Sequence, residues 1–143
     1  MAGRFFVDTN ILVYAHDPLA GAKYHRAQEL VERLWINGEG ALSTQVLQEL
    51  VVSLRRKAAE PYTAEEMRAL LVDLLGWHVV VNTPHSVLRA LEIEERYRIS
   101  FWDALILQAA ETAGAEVVYS EDLAAGQRYG AVRVVNPFVS EPE

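Results

Sequence analysis

The stretch FFVDTNIL, residues 5–12, joins a short apolar run to a segment of helical character. Phe5–Val7 predicts a first β-strand that ends at Asp8, and a helix follows from about Asn10 until Asp17-Pro18 breaks it. In open α/β sheets, ligands bind beyond the carboxyl ends of the strands, so Asp8 is a candidate ligand residue. The structural alternative is that Asp8 only caps the helix.

Short β-rich runs and helical patterns alternate along the remaining sequence, which predicts an α/β fold with a mainly parallel, five-stranded sheet covered by helices. The length of 143 residues suits one domain, residues 1–143. The further strands are predicted at 41–43, 78–81, 117–119 and 132–135, and the further helices at 22–36, 45–59, 63–75, 84–97 and 101–113. The predicted helix caps are Thr44, Ser100 and a capping box of Thr63 with Glu66.

The charge balance narrows the classes of function. With 20 acidic and 13 basic residues, the net charge of −7 argues against a simple basic surface for phosphate and favours a bound cation or a basic partner. The absence of cysteine excludes disulfides, a thiolate nucleophile and cysteine-based zinc sites. The four histidines have no metal-ligand spacing, and no glycine-rich phosphate loop is present.

The sequence has no feature of a membrane or exported protein. No apolar run approaches the ~20 residues that cross a bilayer, and the N-terminal segment reaches a charge before a signal peptide could form. We therefore expect a cytoplasmic protein that does not associate with a membrane.

Three more carboxylates stand where a site could form, and each has a structural alternative. Glu49 lies beside apolar helix positions and could instead pair with Arg56. Asp103 is the lone charge in FWDALIL, residues 101–107, although the helix dipole also favours an acid in a first turn. Asp122 follows a strand and could be a helix cap, while Glu121 competes with it as a ligand.

Four carboxylates gathered at one place could not all stay ionised without a cation. Oxygen ligands without cysteine favour Mg²⁺ or Mn²⁺, which activate water and stabilise charge on a phosphodiester. The run Arg55-Arg56-Lys57 is either a solvated helix end or a contact for RNA phosphates. The three tryptophans, Trp35, Trp77 and Trp102, are expected in the core or an interface rather than as stacking platforms.

Several motifs together resemble those of PIN-domain nucleases, in particular the VapC-type ribonuclease toxins of toxin–antitoxin systems. FFVDTNIL (5–12) resembles the opening motif, SFWDALI (100–106) the third acidic motif, and YSEDL (119–123) the fourth. VNPF (135–138) is similar to the last strand of many members, and Glu49 lies in the helix that carries their second acid.

The resemblance implies a three-layer α/β/α fold and a Mg²⁺- or Mn²⁺-dependent endoribonuclease. It also implies an RNA substrate, a homodimer and a cognate antitoxin with a basic segment. By the matching motifs, the catalytic and metal-binding acids are Asp8, Glu49, Asp103 and Asp122. The residues that orient these acids or the metal are Thr9, Asn10 and Ser120, with Glu121 beside them.

Two other functions remain open at this point. An aspartate after the first strand could be the nucleophile of an aspartyl-phosphate phosphatase, although Asn10 stands where such enzymes place a second aspartate. Alternatively, a non-catalytic domain could use its acidic groove only to dock a basic peptide.

Overall fold

A computed structural model of the chain describes residues 4–57 and 60–139. The elements follow one another as β1 (Phe5–Val7), α1 (Thr9–Ala15), a 3₁₀ turn (Pro18–Ala20), α2 (Ala22–Asn37), β2 (Gly40–Ser43), α3 (Thr44–Lys57), α4 (Ala64–Leu74), β3 (His78–Val80), α5 (Pro84–Tyr97), α6 (Phe101–Ala113), β4 (Val117–Tyr119), β5 (Arg128–Tyr129) and β6 (Val132–Val135). None of the helices described there is long and apolar enough to span a membrane.

The strands form one sheet in the order β3-β2-β1-β4-β6-β5. Strands β1, β2, β3, β4 and β6 are mutually parallel and confirm the five predicted strands. The sixth strand, β5, was not predicted. It runs antiparallel to β6 through the pair Tyr129 and Val132, and Gly130 turns the chain between them at a φ of 64°. Two residues are too few to show the alternation that identifies a strand in a sequence.

The strand order places helices on both faces of the sheet. The chain moves from β1 through β2 to β3 in one direction and returns to β4 on the other side of β1. Because parallel crossovers are almost always right-handed, α1 to α4 cover one face, and α5 and α6 cover the other. The contacts agree, since α1 packs on α2 and α3, and α5 packs on α6, which crosses β1, β2, β3, β4 and β6. The three-layer prediction is confirmed.

Local hydrogen bonds explain several helix boundaries. Ser100 caps α6, and Thr63 forms the predicted capping box with Glu66. The predicted cap at Thr44 is wrong by one residue. The Ser43 hydroxyl accepts from the Val46 N–H at 3.3 Å, while the Thr44 hydroxyl accepts from the Asn82 N–H at 3.2 Å. The predicted end of this helix, Ala58 and Ala59, lies outside the described residues.

Gly40, the first residue of β2, lies against the ring of Trp77. A Cβ atom built on Gly40 would stand 2.5 Å from Trp77 Cε3 and 2.6 Å from Cζ3. Trp77 is itself buried at 8% exposure and meets Trp35 edge to face, with 5.5 Å between ring centroids. The indole therefore occupies the space that a side chain at position 40 would need.

We expect Gly40→Ala to lower the free energy of unfolding by about 1–3 kcal/mol, because the added methyl group overpacks the Trp77 ring. Urea denaturation measures the change. The control is a double-mutant cycle with Trp77→Leu, in which the double variant should lose less than the sum of the single losses. Additive losses would contradict a direct clash between the two side chains.

Candidate functional site

The predicted acids converge at the edge of the sheet where its strand order reverses. Asp8 directly follows β1 and Ser120 directly follows β4. These two strands are neighbours in the sheet, and the chain leaves them in opposite directions, from β1 toward β2 and from β4 toward β6. The Ser120 hydroxyl donates to Asp8 Oδ2 at 2.8 Å, and the Asp8 N–H donates to the Tyr119 carbonyl at 3.0 Å. Both side chains are buried. This is the crevice in which open α/β sheets bind ligands.

Asp8 occupies an electrostatically unfavourable position for an ionised carboxyl. Its side chain is only 6% exposed, and its Oδ1 accepts from the Thr9 N–H at 2.8 Å, so it also caps α1. Burial raises the pKa of Asp8 to about 6, and the carboxylates of Glu49 and Asp122 add to this rise. The hydrogen bonds from Ser120 and Thr9 favour the charged form and partly oppose the rise.

Asn10 ties two of the acids together. Its Nδ2 donates to Asp122 Oδ2 at 3.0 Å and approaches Asp8 Oδ2 at 3.4 Å. Its Oδ1 accepts from the Glu121 N–H at 3.1 Å. One neutral carboxamide therefore joins α1 to the loop after β4, and it places a donor between two carboxylates that would otherwise repel each other.

Glu49 and Asp103 reach the cleft from two helices. Glu49 of α3 is half-buried and accepts from the Thr9 hydroxyl at 2.8 Å. This contact replaces the ion pair with Arg56 that the sequence left open. Asp103 lies in the first turn of α6, where its own N–H donates to the Ser100 hydroxyl at 3.1 Å. Both interpretations therefore apply to Asp103: it lies in the first turn of α6, where the helix dipole favours an acid, and it also lines the cleft.

The four acids line one cleft of about 550 Å³. Of the predicted basic run, Arg56 and Lys57 line this cleft and Arg55 does not, although all three are exposed. The other lining residues come mainly from α1, α3 and α6: Thr9, Asn10, Val13, Tyr14, Gln45, Gln48, Val52, Ser53, Trp102, Ile106 and Glu121.

Glu121 has a cationic partner of its own. Lys23 Nζ lies 3.0 Å from both carboxylate oxygens of Glu121, and the Tyr14 hydroxyl donates to Oε1 at 3.2 Å. Lys23 also lies over the rings of Tyr14 and Phe138, 4.9 and 5.5 Å from their centroids. Asp122, by contrast, is exposed and is held by Asn10. Lys23 and Tyr14 were not predicted, because Lys23 lies far from Glu121 in sequence.

The donor chemistry of the site fits a divalent cation. The acids present only oxygen ligands, which suit Mg²⁺ or Mn²⁺. Burial is the main cause of the raised pKa of Asp8, and the negative charge of Glu49 and Asp122, which a cation would offset, adds to it. Within residues 4–57 and 60–139, however, no three His, Asp or Glu side chains are grouped closely enough to hold a metal as they stand. Oxygens of Glu49, Asp122 and Asp8 instead accept from the neutral donors Thr9, Asn10 and Ser120.

Comparisons with known proteins identify the family and the fold. The sequence model of the PIN domain family matches residues 5–129. Among solved structures, the chain resembles VapC20 of Mycobacterium tuberculosis, described as a toxin that cleaves the sarcin–ricin loop, with 25% identity and a TM-score of 0.62 over 82% of this chain and 89% of that one.

Two protein complexes bound to DNA also contain similar chains. The chain from FitAB bound to the IR36 DNA fragment is 18% identical, with a TM-score of 0.70 over 96% of this chain and 98% of that one. The chain from DNA-bound VapBC of Salmonella typhimurium is 18% identical, with a TM-score of 0.65 over 94% and 97%. These two likenesses concern the fold. A comparison with curated proteins finds no match.

The position of Asp8 predicts a pH dependence of stability in the metal-free protein. Its folded pKa of about 6 lies above the ordinary 3.8, so the folded state binds the proton more tightly. The stability that this proton supplies is present below about pH 4 and is lost as the pH rises through 6, at a cost of up to about 3 kcal/mol. Asp8→Asn has no such proton to lose.

We therefore expect Asp8→Asn to gain stability relative to the parent protein as the pH rises from about 4 to about 7.5. Chemical denaturation in EDTA at several pH values measures the difference in unfolding free energy between the two proteins. Taking the difference cancels the titration of groups that do not interact with Asp8. A difference that does not change with pH would contradict the burial of an ionised Asp8.

Proposed function

Because the chain belongs to the PIN domain family, we propose that it is a Mg²⁺- or Mn²⁺-dependent endoribonuclease and the toxin of a VapBC-type toxin–antitoxin pair. PIN domains of the VapC type are nucleases, and the metal and the RNA substrate are the finer parts of the proposal. One observation carries it: four carboxylates from separate parts of the chain line a single cleft, with the most buried of them at the point where the strand order reverses.

The acids of the cleft are the residues that would hold the cation. Asp8, Glu49 and Asp103 reach it from β1, α3 and α6, and Asp122 reaches it from the loop after β4. When bound there, such a cation supplies activation of an attacking water and neutralisation of the charge on the phosphodiester. A cation would also offset the negative charge around Asp8, whose pKa is raised mainly by burial and further by Glu49 and Asp122.

Three neutral side chains orient these acids. Ser120 donates to Asp8, Thr9 donates to Glu49, and Asn10 donates to Asp122. Each donor approaches one oxygen of its carboxylate, which fixes the rotation of the group and directs its remaining lone pairs. Such supporting hydrogen bonds are worth about 10- to 100-fold in metal affinity or activity in known metal sites.

The cations at the other end of the cleft suit the RNA backbone. Arg56 and Lys57 end α3, the helix that also carries Glu49, so the cleft runs from acids to bases along one helix. Two basic side chains at one end of the cleft would hold phosphates on one side of the cleaved phosphodiester, while that phosphodiester lies at the carboxylates. This local pair offsets the unfavourable net charge of −7 for binding a polyanion.

Two further lines support the RNA substrate and the antitoxin. The similar chain from Mycobacterium tuberculosis is described as a toxin that cleaves the sarcin–ricin loop. Other similar chains come from toxin–antitoxin complexes of Klebsiella pneumoniae, Salmonella typhimurium and Rickettsia felis. An antitoxin segment with basic residues would complement the acidic cleft electrostatically. We also propose that the chain forms a homodimer.

The surroundings of Asp8 disfavour the phosphatase alternative. A nucleophilic carboxylate needs an oxygen that can reach phosphorus, but Asp8 is 6% exposed and both of its oxygens accept hydrogen bonds. Asn10, where such enzymes place a second aspartate, donates to acids and cannot exchange a proton. The binding-module alternative is tested by whether the purified protein cleaves RNA.

We expect the purified protein to cut a mixed, structured RNA in Mg²⁺ or Mn²⁺ and to stop in EDTA. Asp8→Asn should lower the cleavage rate by about 100-fold or more, since even residues that only orient metal ligands cost 10- to 100-fold. Gel analysis of end-labelled RNA measures both effects. Asp73→Asn is the matched control, because Asp73 is an exposed acid away from this cleft. Cleavage that persists in EDTA would overturn the metal mechanism, and folded protein that never cuts RNA would favour the binding module.

We expect Arg56→Ala and Lys57→Ala each to weaken RNA binding across sequences and to lower the salt dependence of log K by about 1. Fluorescence anisotropy over a range of KCl concentrations measures both quantities. Arg55→Ala removes the same charge from the same helical turn, but Arg55 does not line the cleft. Equal effects of all three variants would show that only net charge matters and not the position along the cleft.

A further inference from the structure

We propose that the indole of Trp102 is a stacking platform for one unpaired base of the RNA, beside the acids of the cleft; this inference rests on the proposed function. Trp102 lines the cleft and is 63% exposed, although it is one of the largest apolar side chains in the protein. The sequence predicted a position in the core or in an interface rather than a stacking platform, and this exposure rules out the core. Together with the exposed Val52, which also lines the cleft, Trp102 presents apolar surface among polar residues, and such surface is typical of a binding groove.

The start of α6 explains why Trp102 faces the cleft. Residues 104–110 of this helix are all buried, but its first turn emerges at the sheet edge, where Asp103 also reaches the cleft. The Phe101 ring meets the Trp102 ring edge to face, at 5.5 Å between centroids and 74° between planes. This contact packs the indole against Phe101 and leaves most of Trp102 exposed.

Gln45 of α3 holds the backbone beneath this ring. Its Nε2 donates to the Trp102 carbonyl at 3.2 Å, so the platform is anchored to the helix that forms the opposite wall. Gln45 is 5% exposed and lines the cleft, and its Oε1 is buried with no hydrogen-bond partner among the residues that the structure describes. Buried acceptors are normally satisfied, so this oxygen marks the wall of the cleft beside Trp102 as incompletely bonded.

The surroundings of Trp102 match what a single strand requires. Along α3, the positions that line the cleft follow helical spacing from Gln45 through Glu49 and Val52 to Arg56. On this face the exposed Val52 lies between Glu49 and Arg56, and the exposed Trp102 lies near the start of the helix, where Gln45 bonds to its carbonyl. Proteins that bind single-stranded nucleic acid combine phosphate-binding cations with aromatic rings on which bases stack.

This arrangement selects unpaired RNA over duplex RNA. In an A-form helix the bases are stacked on one another and their faces are closed to side chains, whereas loops and bulges present bases that can be stacked on an aromatic ring. Stacking is tolerant of sequence because every base has a π face. The expected substrate class is therefore an RNA with an unpaired nucleotide adjacent to the cleaved phosphodiester.

The test compares Trp102→Leu with Trp102→Phe, both in an Asp8→Asn background that leaves the RNA intact. Leucine keeps an apolar side chain without a π face, and phenylalanine keeps the π face. Each protein is titrated in Mg²⁺ with a fluorescent single-stranded RNA of about 8 nucleotides and with the same sequence in a duplex. We expect Trp102→Leu to bind the single strand about 5- to 150-fold more weakly, Trp102→Phe to lose less, and duplex binding to change little.

Three results would overturn the inference: equal affinity of the leucine variant for the single strand, an equal loss for single strand and duplex, or no binding of RNA at all. A fourth would be a change of oligomeric state in size-exclusion chromatography that accounts for the loss, since Trp102 would then cover a protein surface. Cleavage by protein with intact Asp8 is measured separately. RNA cleavage without dependence on Trp102 rejects only the platform, and Trp102-dependent binding without cleavage rejects only the proposed catalysis.

Discussion

The structure depends on one carboxylate that is buried where the sheet reverses its strand order. Asp8 caps α1, accepts the Ser120 hydroxyl from the neighbouring strand end, and so joins β1 to β4 at their carboxyl ends. An ionised group there is costly, and its pKa is raised to about 6. The fold accepts this cost at the position where parallel α/β sheets bind their ligands.

The residues around Asp8 reduce the repulsion among the acids. Neutral donors from Thr9, Asn10 and Ser120 separate the acids, whereas Glu121 is compensated by Lys23 and stands apart from them in its bonding. The cleft also changes from negative to positive along α3, because this helix carries Glu49 beside the other acids and Arg56 further along the same face. The proposed nuclease function uses both the acidic and the basic end of the cleft, since the enzyme would bind a polyanion while its acids bind a cation.

Much of the fold could be predicted because its signals are local. The five parallel strands are short apolar runs, and their alternation with helical segments predicts a parallel sheet. Caps such as Ser100 are visible as residue types at fixed spacing. The antiparallel strand Arg128–Tyr129 was missed because it exists only through its pairing with β6. The cap of α3 moved from Thr44 to Ser43 because Thr44 bonds to Asn82, which is distant in sequence.

The sequence by itself determined which acids are candidates, because Asp8 and Asp122 follow strands and Asp103 is the lone charge in an apolar run. Only the tertiary structure decided how they are partnered. In the folded chain Glu121 pairs with Lys23. Arg56 and Lys57 line the cleft whereas Arg55 does not, and Trp102 lies at the cleft instead of in the core. The physical reason is that hydrogen bonds, ion pairs and exposure act between atoms close in space, and these atoms come from residues far apart along the chain.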